Sequence, residues 1–579
     1  MTMLTKWGAA LDRSCPLPEY PRPQLRRESF YNLNGIWDYA VTPSGDEPEV
    51  WDGEIVVPFS PEAPLSGAAR GPAKDEYLHY RRGFTLPEGF QKSRVLLHFG
   101  AVDQIAEVFV NGVSAAKHSG GYWPFSADIT NLLREGENIL RVTVRDNADD
   151  PTFAYGKQRY KRGGMWYTAQ SGIWQTVWLE SVPEVYVKSL RITPEFDEAR
   201  VRIELETALE SSAAITCDVR AADGSFVAGS WAKGGVCVVP LPGFRAWTPD
   251  DPYLYTLDIT CGEDRVESYF AMRKFSYVEL GGRKVFGLNN TPLFHNGLLD
   301  QGYYPDGLLT PPSDEAMVND IETMKRCGFN MLRKHIKIEP LRWYYHCDRL
   351  GMIVWQDMVS GGQPYSFLHV SALPTLGKVD LPDQDAKPYG RSGVLSRARF
   401  RREMADTVRL LYNCPCIALW TVFNEGWGQF DALDMANELK KLDPTRFIDH
   451  ASGWQDQGYE EMKSRHIYFR PVKLKNDGRA LALTEYGGYI LAVDGHRWTD
   501  KAFGYRICRD SAALAHDYEK LMLGQVLPHI RKEGLTAAVY TQITDVEEEL
   551  NGLMTYDREV LKIPEETLRE INAALRFDA

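Results

Sequence analysis

No run of apolar residues reaches membrane-spanning length, and the stretch Met1–Arg13 has no sustained apolar core of signal-peptide length. The chain therefore reads as cytoplasmic and independent of membranes. Positive charge is in deficit: 66 Lys and Arg stand against 79 Asp and Glu, a net charge of −13. Such a chain offers no net attraction to nucleic acid, and its partners are expected to be neutral or recognised locally. No Gly-rich loop ending in Lys-Ser/Thr is present, which argues against phosphoryl or nucleotide chemistry. The nine cysteines are scattered, and the closest pair, Cys414 and Cys416, is separated by a single residue. That spacing suits neither a CxxC redox pair nor a zinc site, so reduced, buried thiols are expected.

Aromatic residues, by contrast, are abundant, at 12% with 15 Trp, which suits both large β-rich cores and sugar stacking. A chain of 579 residues exceeds what one core accommodates and divides into several domains. From Phe30 to about Val182 short strands alternate at period two: Ile36–Ala40, Val95–Phe99, Ala106–Val110 turning at Asn111-Gly112, and Ile139–Val144. This pattern predicts an all-β sandwich. A second β segment, 183–275, with strands at Leu190–Ile192, Val201–Leu205 and Ile215–Val219, has the size of an immunoglobulin-like sandwich. It shows no acid pair, which favours a spacer role.

From Ser276 the texture changes to strands alternating with helices. Strands are expected at Leu293–Gly297, Asn330–Arg333, Met352–Asp357, Ile417–Phe423, Phe447–His450, Ile467–Phe469, the run ending at Glu485, and Ala537–Tyr540. Helices are expected from a Ser313 cap to Cys327-Gly328, over Pro340–Leu350, along Phe400–Leu411 and around Leu433–Leu442. Eight strands with crossovers in 276–579 predict a (β/α)8 barrel, with its chemistry at the carboxyl ends of the strands.

Two stretches carry that chemistry. Six of the seven residues from Ile417 to Phe423 are apolar, after which Asn424 and Glu425 arrive with Gly426 and Gly428. The run Ala480–Tyr489 repeats the design, with Glu485 after a short apolar strand and Gly487 and Gly488 behind it. Two buried strands each ending in Glu fit a retaining glycosidase, in which one carboxyl donates a proton and the other attacks.

Phe423-Asn424-Glu425-Gly426-Trp427 and Thr484-Glu485-Tyr486-Gly487 resemble the acid/base and nucleophile motifs of glycoside hydrolase family 2. Val108–Gly112, Gly120–Phe125 and Gly172–Leu179 are similar to segments of that family's jelly-roll sugar-binding domain. The resemblance implies a jelly roll over 1–182, the immunoglobulin-like sandwich over 183–275 and a TIM barrel over 276–579. It further implies Glu425 as acid/base, Glu485 as nucleophile and Asn424 as the side chain holding the substrate 2-hydroxyl, with no cofactor needed. β-Galactosidases of the family can bind magnesium and sodium near the site, but the sequence shows no matching ligand motif, so no metal is expected.

Asp300, Arg333, His335, Lys337 and Asp357 are expected to face the pocket from strands one to three, joined by Tyr468. Trp427 and Tyr486 adjoin the glutamates and are expected to stack on sugar. Glu425 is expected to be held protonated by apolar surroundings and by repulsion from Glu485. The family places His three positions after Arg, whereas His335 follows Arg333 by two. The Asn-x-Lys motif of the family's β-glucuronidases has no counterpart in Glu549–Asp557. The substrate is therefore expected to be a β-galactoside or, read by Arg333, Lys334, Lys337 and Arg470, a β-galacturonide. β-Glucuronidase and β-mannosidase are the alternatives within the family, and a non-catalytic carbohydrate-binding protein is the alternative outside it. A homo-oligomer is compatible with the sequence, and the reach of the basic, aromatic loop 155–167 toward an active site is open.

Overall fold

The computed structural model describes residues 3–209, 214–377 and 379–578; Met1 and Thr2 of the leading stretch lie outside them. The first sandwich sets a six-stranded sheet, which includes Gly35–Thr42, Tyr77–Phe84 and Asn138–Arg145, against a four-stranded sheet built from Phe30–Asn32, Arg94–Phe99, Phe125–Asp128 and Val177–Val182. Its core is the alternate-residue set expected of period two, including Trp37, Tyr39, Val95, Leu97, Val108, Leu140, Val142 and Leu179. The second sandwich pairs a three-stranded with a four-stranded sheet around Val201, Ile203, Val219, Leu257 and Ile259. Arg27 joins the two, with its guanidinium donating to Glu180 at 3.0 Å and to Asp264 at 2.9 Å. All nine cysteines are free thiols, eight of them buried.

The barrel strands are β1 (His295–Asp300), β2 (Met331–Lys334), β3 (Ile353–Asp357), β4 (Ile417–Thr421), β5 (Phe447–Asp449), β6 (Met462–Ile467), β7 (Ala480–Gly487) and β8 (Leu535–Thr541). They form one parallel sheet in the order β5-β4-β3-β2-β1-β8-β7-β6. The seam between β5 and β6 is closed by a side chain: Ser464 Oγ donates to Asp449 Oδ1 and the Ala451 carbonyl, both at 3.0 Å. Strands enclosed by helices outside and side-chain layers inside lose their alternation, and β1 to β5 are buried at every position.

The outer helices start and stop where their ends are satisfied. In α1 (Asp314–Arg326) Ser313 Oγ accepts from the Ala316 N–H, with Asp314 and Glu315 in the first turn and Lys325 and Arg326 in the last. α2 (Leu341–Leu350) begins after Pro340 and ends at Gly351, whose φ of +73° is left-handed. α3 (Val394–Leu411) leads into β4, and α4 (Ala432–Leu442) follows it.

Two strand positions differ from expectation. β1 lies later than Leu293–Gly297, because Thr291–Pro292 belongs to an antiparallel ribbon with Phe275–Leu280 and Arg283–Leu288. That ribbon plugs the amino end of the barrel, with Phe286 stacked on Phe447 at 4.2 Å. β6 ends at Ile467 instead of spanning Ile467–Phe469. Its sequence, Met-Lys-Ser-Arg-His-Ile, reads as a loop because its inward residues, Ser464 and His466, are polar. No helix of the described residues is long and apolar enough to cross a membrane.

The entry into β4 is pinned by Arg446, which is buried together with Asp443. It donates to the carbonyls of Ile417 (2.9 Å), Tyr412 (2.7 Å) and Cys414 (2.8 Å) and to Asp443 Oδ2 at 2.6 Å. Arg446→Met leaves the buried Asp443 carboxylate without its countercharge and removes a donor from three carbonyls, an expected loss of about 3–5 kcal/mol seen as a lower thermal midpoint. Arg446→Met combined with Asp443→Leu should recover part of that loss, because the stranded charge is gone.

Candidate active site

β4 delivers Asn424 and Glu425 beyond its carboxyl end. Glu425 has a φ of +54°, a left-handed conformation that costs a non-glycine residue of order 1–3 kcal/mol. Its N–H donates to the Ser452 carbonyl at 2.9 Å, and Trp454 Nε1 donates to its carbonyl at 2.9 Å. These bonds, with Gly426 and Gly428 also at positive φ, hold the sharp turn that aims the Glu425 side chain across the barrel mouth. Glu485 comes from within β7, opposite. Carboxylate oxygens of Glu425 and Glu485 and a ring nitrogen of His466 all lie within 4.8 Å of one another.

Arg333, at the end of β2 and fully buried, binds three other strand ends at once. Its Nε donates to Asp357 Oδ1 (2.9 Å), Nη1 to the Thr484 carbonyl (3.0 Å) and Glu485 Oε1 (3.1 Å), and Nη2 to Asn424 Oδ1 (2.8 Å). Asn424 thereby keeps its amide nitrogen for another partner. Tyr468 donates to Glu485 Oε2 at 2.5 Å. Burial alone would raise the Glu485 carboxyl, but His466, Arg333 and His335 outweigh it and bring it down to about 2. Asp357 behaves alike, burial being outweighed by Arg333 and His335, and sits at about 2. His335 donates from Nδ1 to Asp357 Oδ2 at 2.7 Å, so the irregular spacing from Arg333 still brings it to the cluster.

Other expected site residues are placed differently. The Lys337 ammonium donates to the carbonyls of Gly302 (2.5 Å) and Leu309 (2.8 Å) and to Glu339 (2.9 Å). All three of its protons are committed, so the expectation that it meets substrate is corrected. Lys334 bridges Asp300 (2.6 Å) and Glu339 (2.8 Å), which makes Asp300 part of the same buried ion network. Arg470 is exposed, 3.4 Å from the Thr375 carbonyl. Tyr486 is fully buried, with its hydroxyl on Met522 Sδ at 3.1 Å; it follows Glu485 on a strand, so the two point to opposite sides. Trp427, 5% exposed, is wedged against Trp166 and Tyr155 at ring distances of 5.1 and 5.8 Å. Both aromatics are packing residues here. Nor is the setting of Glu425 apolar: His466 Nδ1 lies 2.7 Å from its Oε1.

Two side chains, His466 and Tyr505, had no place in the sequence expectation, which had left the reach of loop 155–167 open. His466 stands between the two glutamates, hidden in a strand whose polar inward face masked it. Tyr505 stacks on Tyr468 with centroids 3.9 Å apart. Loop 155–167 of the first sandwich reaches the barrel mouth of its own chain: Tyr155 donates to the Gly362 carbonyl at 2.7 Å, Thr168 N–H to Glu547 at 2.8 Å, and Tyr167 to Glu549. Burial and then the nearby Lys157 charge on this loop lower the His335 imidazole, and burial raises the Glu549 carboxyl against the pull of the same lysine; Lys157 has no ion pair or side-chain hydrogen bond among the described residues. Glu425, His466 and Glu485 are also the group spaced for a metal ion among the described residues. The direct contacts of the His466 ring with both carboxylates account for that spacing, and no metal is assigned.

Residues 64–183 match the sugar binding domain of glycosyl hydrolases family 2, 185–273 match glycosyl hydrolases family 2, and 310–474 match its TIM barrel domain. A β-glucuronidase of Paenibacillus borealis is 22% identical over 82% of this chain and 85% of its own length. A β-galactosidase of Thermoanaerobacter pseudethanolicus is 25% identical over 63% of this chain and 47% of its own length. The match thus spans about half of that protein. Among solved structures, a Ruminococcus gnavus β-glucuronidase superposes with a TM-score of 0.74 at 15% identity, covering 96% of this chain and 99% of that one. A β-galacturonidase of Eisenbergiella tayi gives 0.70 at 18%, covering 97% and 100%. With three successive segments matching one family over a shared three-domain fold, the chain belongs to glycoside hydrolase family 2.

Proposed function

We propose that this chain is a retaining exo-β-glycosidase that releases a terminal β-linked hexose. The observation that carries the reading is the pair Glu425 and Glu485, with carboxylate oxygens within 4.8 Å. Oxygens that close fit the short spacing of a retaining pair, about 5–5.5 Å between carboxyl groups, better than the about 6.5–9.5 Å of an inverting pair, which must admit a water. Glu485 attacks the anomeric carbon as an anion, kept ionised by the cations around it, while Glu425 protonates the departing oxygen. The electron pair of the broken C–O bond leaves with that oxygen. Glu425 then takes a proton from water, the water oxygen bonds to the anomeric carbon, and the ester to Glu485 breaks. Asn424, oriented by Arg333, offers its amide N–H to the sugar's 2-hydroxyl.

The sugar has two readings, each with its own support. A neutral galacto-configured sugar fits the commitment of Arg333, Lys334 and Lys337 to protein partners, which leaves no cation on the β2 segment to receive a carboxylate. A β-uronide fits the unpaired Lys157 beside His335 and Glu549, and relatives of this chain include β-glucuronidases.

Glu485→Ala should abolish turnover, and azide should restore it by entering the vacated space, giving a glycosyl azide of inverted configuration; a retained product in the rescued reaction refutes the nucleophile role. Because the Glu485 carboxyl sits at about 2, its protonation should leave kcat/KM unaffected as pH falls from neutral to about 4. Arg333→Gln removes a cation that holds it down, so the acid limb should move up into the measurable range, with a loss of about 10²–10³-fold. Initial rates on nitrophenyl β-galactoside, β-galacturonide and β-glucuronide separate the two sugar readings. If a uronide is preferred, Lys157→Met should cost it about 10–100-fold, the worth of a charge-assisted hydrogen bond, and leave the galactoside rate alone.

A further inference from the structure

The His466 side chain is fully buried and meets both glutamates. Its Nδ1 is 2.7 Å from Glu425 Oε1, and its Nε2 is 3.6 Å from Glu485 Oε1 and 3.2 Å from Ser452 Oγ. The ring is locked in place. A Cβ on Gly453, which has a φ of +94°, would lie 2.6 Å from ring atoms, and the Trp454 ring stands edge-on at 5.5 Å. A buried imidazole with one nitrogen on each of two carboxylates has more to do than fill space, since a carboxylate pair with a single proton to share needs somewhere to keep a second one.

We propose that His466 is a positioning residue that fixes the acid/base Glu425 and exchanges its proton with it, an inference that rests on the glycosidase reading above. In the proposed resting site Glu425 carries its proton on Oε2, and the doubly protonated His466 ring directs its Nδ1–H at Glu425 Oε1. As Glu425 commits a proton to the glycosidic oxygen from Oε2, the Nδ1 proton passes to Oε1, leaving neutral imidazole and holding Glu425 neutral. In the second half Glu425 takes a proton from the attacking water and returns one to Nδ1. No proton is gained or lost over the cycle beyond that of water.

The groups facing this exchange are few. Glu425 and Glu485 touch the ring, Arg333 shares Glu485 Oε1 with it, and Tyr468 binds the other oxygen, Oε2. Asp449 stands behind Ser464, and the Tyr365 and Tyr505 phenols lie within electrostatic reach of Glu425. On β6 itself Arg465 turns away to Asp380 and Asp456.

The leaving group distinguishes this role from a structural one. A dinitrophenolate departs without a proton, whereas an alkoxide needs one. We expect His466→Gln to hold kcat/KM on the dinitrophenyl glycoside within about threefold and to lower it on the methyl glycoside about 10²-fold or more, the usual worth of general acid catalysis. The alkaline limb of the methyl-glycoside profile should move as well. His466→Ala should show the same selectivity and recover on the methyl glycoside when imidazole is added. Equal losses on both substrates, or an unmoved alkaline limb in variants that keep the wild-type thermal midpoint, overturn the role of His466 alone. Wild type as inactive as Glu485→Ala on every dinitrophenyl glycoside overturns the glycosidase reading itself.

Discussion

The site depends on the Arg333 guanidinium. An unpaired buried cation would cost several kcal/mol, and the fold meets that demand by converging four acceptors from three other strand ends on it: Asp357, Thr484, Glu485 and Asn424. The geometry calls for a planar fork with donors in several directions, which a lysine ammonium does not offer. Consequently Glu485, Asn424 and the Asp357–His335 pair are not independently placed. They share one rigid cation, whose charge joins His466 and His335 in holding the Glu485 carboxyl down against burial.

Around that hub the barrel mouth is unusually polar for an interior, and its charges sort into two networks. Arg333, Asp357, His335, Glu485, His466 and Glu425 form the chemical one. Lys334, Lys337, Asp300 and Glu339 form the second, in which each lysine is tied to Glu339. Both arise from the same five-residue segment at the end of β2 and just beyond it, because alternation sends neighbouring cations to opposite sides. The first is open to the pocket through Asn424 and Glu425, and the second braces the loop between β1 and α1 through the carbonyls of Gly302 and Leu309.

The sandwich domain is part of the pocket wall. Tyr155, Trp166 and Tyr167 cross from the first sandwich to the barrel, where Trp427 and the acidic run Glu547–Glu549 receive them. Trp427 serves as the anchor of that contact, which explains why an aromatic so close to Glu425 is buried. Arg159 lies over both the Trp166 and Tyr155 rings at 4.4 and 4.9 Å, adding cation–π attraction to the same joint.

The sequence by itself determined the three-part architecture and both glutamates, because these are local signals: period-two alternation, continuous apolar runs where both strand faces are buried, and glycines after each acid. Arg333 and Asp357 were equally legible as charged residues ending apolar strands. What only the tertiary structure decided is how side chains at those ends divide their bonds. Nothing local tells that Lys337 is used up by carbonyls from the segment after β1, that Tyr486 faces outward while Glu485 faces inward, or that loop 155–167 folds back over its own barrel. His466 was hidden for the same reason. A strand whose inward face is polar carries no hydrophobic period, and its meaning appears only when closure of the barrel brings β6 beside β7 and opposite the end of β4.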